Sequence, residues 1–228
     1  MSNMFLYLLY GVGLYAAYFA GAMLHRLNAA KSTGNKVLGK RRLPYFTLCM
    51  TVIIAIPSIL GLIYPSLIKT LGRDYSRFLS GEWWRLITSL FVQDGGTAGT
   101  VFNLVGLLFV RSVAEQYWSR KRWLFIFLGG GIISQLIAFA WQPVGAGNSV
   151  ANFSLAGSIL IVCLFSHPPR IVLLPVILSL AVDAWLLYIR NIHGAAVMVG
   201  ATIAIILMLR KRHKQSGFSL SKKIKQAN

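Results

Sequence analysis

Acidic residues are the scarcest class in this chain of 228 residues, which has 5 Asp and Glu against 23 Lys and Arg. Charged residues of either sign make up only 12%, against about 25% in a typical soluble domain. Such a chain cannot cover a water-exposed surface, which excludes soluble enzymes and disordered proteins. Its two cysteines, Cys49 and Cys163, are too few for a disulfide framework or a metal site, and we interpret them as apolar fillers.

Long apolar runs are abundant instead, with 56% hydrophobic residues and a mean hydropathy of +0.65. Crossing a bilayer takes roughly 17–25 apolar residues as a helix. Seven runs qualify: 4–24, 44–68, 98–118, 123–141, 149–166, 171–189 and 191–209. The runs are continuous and do not alternate, which favours helices over a barrel. We predict an all-α, polytopic membrane bundle.

The basic residues predict the orientation of that bundle. Most of them follow the first run, the third run or the last run, and five lie on the other side: Lys69, Arg73, Arg77, Arg85 and Arg190. Cytoplasmic loops carry the excess of Lys and Arg, so we predict an outer N-terminus and a cytoplasmic C-terminus. The positive charge is therefore mainly a topology signal, and nucleic acid is not an expected partner. Anionic lipid is expected at the basic tail.

The same pattern divides the chain into four predicted segments. Residues 1–25 form an N-terminal transmembrane anchor, which is retained because no Lys or Arg precedes its apolar run as in a signal peptide. Residues 26–43 form a basic cytoplasmic linker, 44–209 a six-helix domain and 210–228 a basic cytoplasmic tail. Inside the six-helix domain, Arg111 and Glu115 are four residues apart, so we expect them to neutralise each other partly.

Three polar residues from separate runs share one depth in the predicted bundle. Asn103, Ser149 and His193 all lie within roughly 10 Å of the outer helix ends. A serine, a histidine and an amide donor at one level are the parts of a nucleophilic acyl-transfer site. Each also has a simpler interpretation: Ser149 as a helix cap, His193 as a polar anchor at the interface, and Asn103 as an interhelical hydrogen-bond partner.

Small residues suggest how such a site closes. The helical stripe that starts at Ser149 runs through Phe153 to Gly157, and the stripe from His193 reaches Gly200. Small residues on facing stripes let two helices approach closely, which a short serine side chain needs to reach an imidazole. We expect Phe153, one turn below the serine, to pack against the imidazole.

These residues resemble the motifs of the rhomboid family of intramembrane serine proteases. The matching positions are Trp84-Arg85 within a GEWWRLIT loop, Phe102-Asn103-Leu104 with Glu115 on the same run, Gly147-Asn148-Ser149 followed by Leu155 and Gly157, and His193 followed by Gly200. The order Asn, Ser, His also fits. The resemblance covers about residues 44–209, with the first run as an additional helix, an arrangement of one plus six.

The resemblance implies a serine endopeptidase with a Ser-His dyad in the bacterial plasma membrane. Ser149 would be the nucleophile and His193 the base, with the Asn103 side chain and the Ser149 backbone N–H holding the oxyanion. Supporting roles would fall to Gly147, Phe153, Gly157, Gly200, Trp84 and Arg85. The implied substrates are transmembrane segments of other proteins, cut near the outer face, and no cofactor or metal is implied.

Four positions depart from the family pattern. Val150 and Ala196 stand where glycines are expected, Gly99 stands where a histidine precedes Asn103, and Gln93-Asp94 occupy a loop position that often carries another histidine. An impaired, rhomboid-like pseudoprotease that binds membrane helices without cleavage is therefore the alternative. A transporter or an unrelated scaffold is a third possibility.

Overall fold

The fold is a bundle of helices with one short strand pair. The computed structural model describes the backbone of residues 3–32 and 44–227 and the side chains of 5–31 and 44–210. In chain order the elements are α1 (Asn3–Ser32), α2 (Tyr45–Ile63), α3 (Pro65–Leu71), β1 (Arg73–Asp74), α4 (Tyr75–Leu79), α5 (Arg85–Thr88), α6 (Gly96–Tyr117), α7 (Arg120–Trp141), β2 (Val144–Gly145), α8 (Ser149–Phe165), α9 (Arg170–Tyr188) and α10 (Ile192–Ala227). The predicted all-α class is confirmed.

The long apolar helices correspond to the seven predicted runs. Among the described residues, six helices are long and apolar enough to cross a membrane, namely α1, α2, α6, α7, α9 and α10. The seventh, α8, has 17 residues and is buried along most of its length. It packs against α1, α6, α7 and α10. A helix enclosed by other helices faces little lipid and does not have to match the thickness of the bilayer. This explains why α8 is the shortest of the seven long apolar helices.

The second predicted run is divided in the structure. Helix α2 ends at Ile63, and α3 begins at Pro65 after Tyr64, which has φ −119° and ψ 85°. Proline has no backbone N–H and disfavours helical geometry at the preceding residue, so the helix stops there. The prediction of one continuous helix over 44–68 is wrong at this point.

Helices α8 and α10 are in close contact. A Cβ atom added to Gly157 would collide with the backbone carbonyl of Val197, and one added to Gly200 would collide with that of Ser154. The Ser154 hydroxyl crosses the same contact and donates to the Ala196 carbonyl at 3.0 Å. The two helices therefore touch backbone to backbone, as the small-residue stripes predicted.

Helix α1 is packed into the bundle on three sides, by α6, α8 and α9. The Tyr117 hydroxyl of α6 donates to the Gly21 carbonyl at 2.5 Å, and the Ser179 hydroxyl of α9 donates to the Gly13 carbonyl at 2.9 Å. Leu14 and Ala17 belong to the common core. The division of the chain into anchor, linker, domain and tail stays a prediction, and residues 33–43 of the linker lie outside the described residues.

The expected pairing of Arg111 with Glu115 is wrong. Glu115 accepts hydrogen bonds from the backbone N–H and the hydroxyl of Thr47 on α2, at 3.0 and 2.8 Å. The guanidinium of Arg111 is fully buried and lies 3.8 Å from the ring centroid of Phe127. Glu115 therefore binds a residue of α2, while Arg111 lies on a ring of α7 and its guanidinium nitrogens have no described hydrogen-bond partner. Contacts with other helices cannot be predicted from spacing along one helix.

We predict that Gly157→Ala separates α8 from α10, because its new Cβ meets backbone atoms that cannot rotate away. Overpacking of this kind costs about 1–3 kcal/mol. The purified protein in detergent should show a lower midpoint of thermal unfolding.

Gly129→Ala on α7 is the matched control, since its Cβ meets only Phe125 Cε2 at 3.9 Å. Alanine also has the higher helix propensity, so this variant should unfold at the wild-type midpoint or above it. Equal midpoints for the two variants would show that the α8–α10 contact is not tight.

Candidate active site

Ser149 and His193 meet at one end of the bundle, which we call the Ser149 end. Ser149 is the first residue of α8, and His193 is the second residue of α10. The close contact of the two helices brings the Ser149 hydroxyl to 2.8 Å from His193 Nε2. Both residues are half-buried, so the pair is both enclosed and reachable. This geometry allows a histidine to take the proton of a serine nucleophile.

Two aromatic rings fix the plane of the imidazole. The Phe153 ring, one turn along α8 from Ser149, lies 4.8 Å from the His193 ring, centroid to centroid. The Tyr10 ring of α1 lies closer, at 4.2 Å. The two aromatic rings are themselves 5.9 Å apart, edge to face. The imidazole is therefore held by rings from α8 and from α1.

Asn191 is a site residue that the sequence analysis missed. Its Oδ1 lies 2.7 Å from His193 Nδ1 and accepts the backbone N–H of His193 at 3.0 Å. Its Nδ2 donates to the Tyr10 hydroxyl at 2.7 Å. One signal was present: an asparagine at the start of a predicted helix is a preferred N-cap, and an N-cap side chain faces the first turn, where His193 lies.

Asn103 lies beside Ser149, and its side-chain amide is hydrogen-bonded to another residue. Asn103 Nδ2 donates to Gln93 Oε1 at 2.6 Å, and Gln93 is fully buried with no partner for its own Nε2. A Cβ atom on Gly147 would lie 3.1 Å from Gln93 Oε1, 3.4 Å from the Ser149 hydroxyl and 3.8 Å from Asn103 Nδ2. Three polar groups therefore converge on Gly147, which leaves room for them because it has no side chain.

A cavity of about 320 Å³ opens onto these groups. Its lining residues are Leu6, Tyr7, Tyr10, Asp94, Gly95, Asn103, Ala146, Ser149 and His193. A second cavity of about 450 Å³ also reaches Ser149 and His193, and it is bounded by the segment 142–147 and by Arg73. The pair is thus accessible from two directions, and α1 supplies part of the wall of the first.

Comparison with known proteins identifies the family. A model of the Rhomboid domain matches residues 80–218, more than half of the chain. The chain belongs to the rhomboid family. It is 34% identical over 94 residues to "Rhomboid protease GluP" and 32% identical over 128 residues to "Putative rhomboid protease YdcA", both of Bacillus subtilis (strain 168).

Those two alignments are partial. They cover 41% and 52% of this chain, and 18% and 64% of the respective relatives. The matched part is therefore less than two thirds of either relative. The family and the membrane-spanning rhomboid fold are shown, and the resemblance in sequence is confirmed. With its apolar helices, this rhomboid is an integral membrane protein.

The departures from the rhomboid pattern have structural counterparts. A Cβ atom at Gly99 would lie 2.9 Å from the Tyr7 hydroxyl, so a tyrosine of α1 occupies the space next to this position. Val150 is buried and lines the second cavity. Ala196 is buried at the α8–α10 contact, where its carbonyl accepts the Ser154 hydroxyl.

Arg85 supports the loop between α3 and α6 and does not reach the catalytic pair. Its side chain pairs with Glu82 at 2.5 Å and donates to the carbonyls of Lys69 and Gly72 at 2.8 and 2.9 Å. Trp84 precedes it as an exposed residue. No described hydrogen bond of Arg85 involves Ser149 or His193, so this motif acts on the loop.

A second arginine holds the segment that leads into Ser149. Arg73 pairs with Gln135 and donates to the Gln142 carbonyl at 2.6 Å, while β1 and β2 pair Arg73 with Gly145. Burial lowers the pKa of Arg73 to about 10, and the nearby Asp94 opposes the shift. Arg73 therefore remains charged at neutral pH. Asp94 accepts the Ala146 N–H at 2.7 Å and so holds the same segment.

We predict that Gly147→Ala is more destabilising than Gly81→Ala. Both glycines have positive φ, +153° and +97°, so each alanine adds backbone strain of about 1–3 kcal/mol. Gly81 faces open space, whereas Gly147 faces the Gln93 and Ser149 side chains. Thermal unfolding in detergent should show the larger loss for Gly147→Ala. Equal losses would mean that crowding at Gly147 is absent.

Proposed function

We propose that this rhomboid is an intramembrane serine endopeptidase. The observation that carries the proposal is the 2.8 Å contact between the Ser149 hydroxyl and His193 Nε2, at the wall of an open cavity. His193 takes the hydroxyl proton while Ser149 attacks the scissile carbonyl, and it returns the proton to the leaving amine. Water then hydrolyses the acyl-enzyme.

The oxyanion of the tetrahedral intermediate has two candidate donors. Ser149 begins α8, where backbone N–H groups have no partner within the helix and the dipole favours negative charge. The Asn103 amide is the second donor. It gives one N–H to Gln93, and an amide nitrogen carries two, so the other remains for the oxyanion.

The proposed substrates are transmembrane segments of other membrane proteins. The catalytic pair lies at the end of α8 and α10, near the ends of the bundle's helices, so the substrate is cut close to one membrane face. A helical segment must unwind to expose its carbonyl, which favours small or helix-breaking residues near that face. The polar residues in the cavity wall allow water to reach the site for hydrolysis.

We propose that the Ser149 end faces outward in a bacterial plasma membrane. The distribution of Lys and Arg supports this orientation. It leaves the basic tail in the cytoplasm, where we propose that it contacts anionic lipid.

A pseudoprotease that binds helices is the second candidate, and two observations favour it. The Asn103 amide already donates to Gln93 at 2.6 Å, and Tyr7 fills space beside Gly99. Both would weaken the transition-state contacts without closing the cavity to a bound segment. Loss of one oxyanion donor typically lowers kcat about 10²–10³-fold.

A fluorophosphonate probe tests the protease proposal, because it modifies only an activated serine. We expect wild-type protein in detergent to be labelled, and Ser149→Ala and His193→Ala to remain unlabelled. Ser112→Ala is the matched control, since this hydroxyl donates only to the Phe109 carbonyl of its own helix. Equal labelling of wild type and Ser149→Ala would refute the assignment. No labelling of wild type, with binding of a membrane-helix peptide retained, would favour the pseudoprotease.

Labelling of single cysteines tests the orientation. In a background that carries Cys49→Ser and Cys163→Ala, Thr97→Cys places a thiol at an exposed position near Ser149, and Lys121→Cys places one at the opposite end. An impermeant maleimide applied to whole cells should modify the first and spare the second. The reverse pattern would place the Ser149 end in the cytoplasm.

A further inference from the structure

We propose that Asn191 is a positioning residue for His193 and that Tyr10, from helix α1, holds Asn191 in place. This proposal rests on the protease function proposed above and extends its dyad to a chain of four hydrogen-bonded side chains. The chain runs from Ser149 through His193 and Asn191 to Tyr10, over distances of 2.8, 2.7 and 2.7 Å.

The orientation of the Asn191 amide follows from a backbone group. The N–H of His193 can only donate, and it faces the Asn191 side chain at 3.0 Å. The atom that it faces must therefore be the amide oxygen. The amide nitrogen then points to the Tyr10 hydroxyl, whose oxygen accepts from it at 2.7 Å.

The tautomer of His193 follows from the orientation of the amide. The same Asn191 oxygen lies 2.7 Å from His193 Nδ1, and an oxygen with no proton can only accept. Nδ1 must therefore carry the proton of the neutral ring, and Nε2 keeps a lone pair. That lone pair accepts the Ser149 hydroxyl, which is the arrangement a general base needs.

Asn191 is itself held from three directions. Its backbone N–H donates to the Leu186 carbonyl at 2.8 Å, and its carbonyl accepts the Gly194 N–H at 3.2 Å. Its side chain ends on Tyr10. The Tyr117 and Ser179 hydroxyls bind α1 to α6 and α9, so the backbone that carries Tyr10 is held in place. Helix α1 therefore positions the catalytic base.

During the reaction one proton moves from the Ser149 hydroxyl to His193 Nε2 as the bond from serine oxygen to carbonyl carbon forms. The Nδ1 proton stays where it is, bound to the Asn191 oxygen, and Asn191 neither gains nor loses a proton. A neutral amide stabilises the imidazolium less than a carboxylate does. Its contribution is therefore mainly to the ring orientation and to the choice of tautomer.

Labelling rates with the fluorophosphonate probe test this role. Asn191→Leu keeps the branched shape of the side chain and removes its three hydrogen bonds. We therefore expect labelling to slow by about tenfold or more, a part of the 10²–10⁴ that a general base supplies. Asn191→Asp keeps an acceptor for Nδ1 and should stay near the wild-type rate. A carboxylate can also accept a hydrogen bond from the Tyr10 hydroxyl, so the contact between residues 191 and 10 is kept. If Asn191 acted only through packing, the aspartate and leucine variants would not differ in this way. A wild-type labelling rate for aspartate and a slow rate for leucine therefore support the positioning role.

Tyr10→Phe should slow labelling by about 2- to 10-fold, the size of one neutral hydrogen bond. In the Asn191→Leu background it should have no further effect, because the two residues act through one contact. Tyr15→Phe, on the same helix and without a described hydrogen bond from its hydroxyl, is the matched control and should label at the wild-type rate. If the two substitutions lowered the labelling rate additively, the proposal that Tyr10 acts through Asn191 would be refuted.

Nitrogen NMR of ¹⁵N-histidine protein tests the tautomer without any activity. The His193 signals, identified by their loss in His193→Gln, should show a protonated Nδ1 in wild type and in Asn191→Asp. In Asn191→Leu a population with protonated Nε2 should appear. A protonated Nε2 in wild type would overturn the proposal.

Failure of the two proposals can be told apart. If Ser149→Ala labels like wild type, the protease proposal fails, and the NMR result still decides whether Asn191 sets the tautomer. If Ser149→Ala is inert and Asn191→Leu labels at the wild-type rate, only the positioning role is refuted.

Discussion

The backbone contact between α8 and α10 is the constraint on which the candidate site depends. Gly157 lies eight residues from Ser149, and Gly200 lies seven residues from His193, so the contact is about 10–12 Å along each helix from the catalytic atoms. Helices are stiff over two turns, and their separation at the glycines therefore sets the separation at the site. A serine side chain is too short to reach an imidazole across an ordinary helix spacing of 8–10 Å, which needs larger side chains between the axes.

Helix α1 belongs to the site as well as to the bundle. It packs between α6 and α9 against α8, and its first turns bring Leu6, Tyr7 and Tyr10 into the cavity wall. If the protein acts as proposed, a substrate segment that enters this cavity lies against α1. The same helix contacts the His193 ring through Tyr10. Removing α1 would therefore alter both the neighbours of the imidazole and the wall of the cavity.

The sequence predicted the helices and the meeting of Ser149 with His193, because both predictions rest on patterns within single helices. Apolar run lengths mark the spans, and the spacing of Ser149, Phe153 and Gly157 lies within one helix. The hydrogen bond between Asn191 and Tyr10 could not be predicted from the sequence, because it joins residues 181 positions apart. The engagement of Asn103 by Gln93 depends on how an irregular loop folds back, which no periodicity describes. The expected ion pair between Arg111 and Glu115 failed for the same reason, since Glu115 binds Thr47 of α2 and Arg111 lies against aromatic rings of α7.

The altered motif positions must be judged by the space around them and not by the letters alone. A motif specifies a residue at a position along the chain, whereas chemistry requires an atom at a point in space. Gly99 removes a side chain from α6, and the Tyr7 hydroxyl from α1 stands 2.9 Å from where its Cβ would be. A hydroxyl can donate a hydrogen bond, as a ring N–H can, so Tyr7 brings a polar group to the position where α6 lacks a side chain. Because α1 also supplies Tyr10, the helix that lies outside the family motifs contributes two polar groups to the cavity at Ser149 and His193.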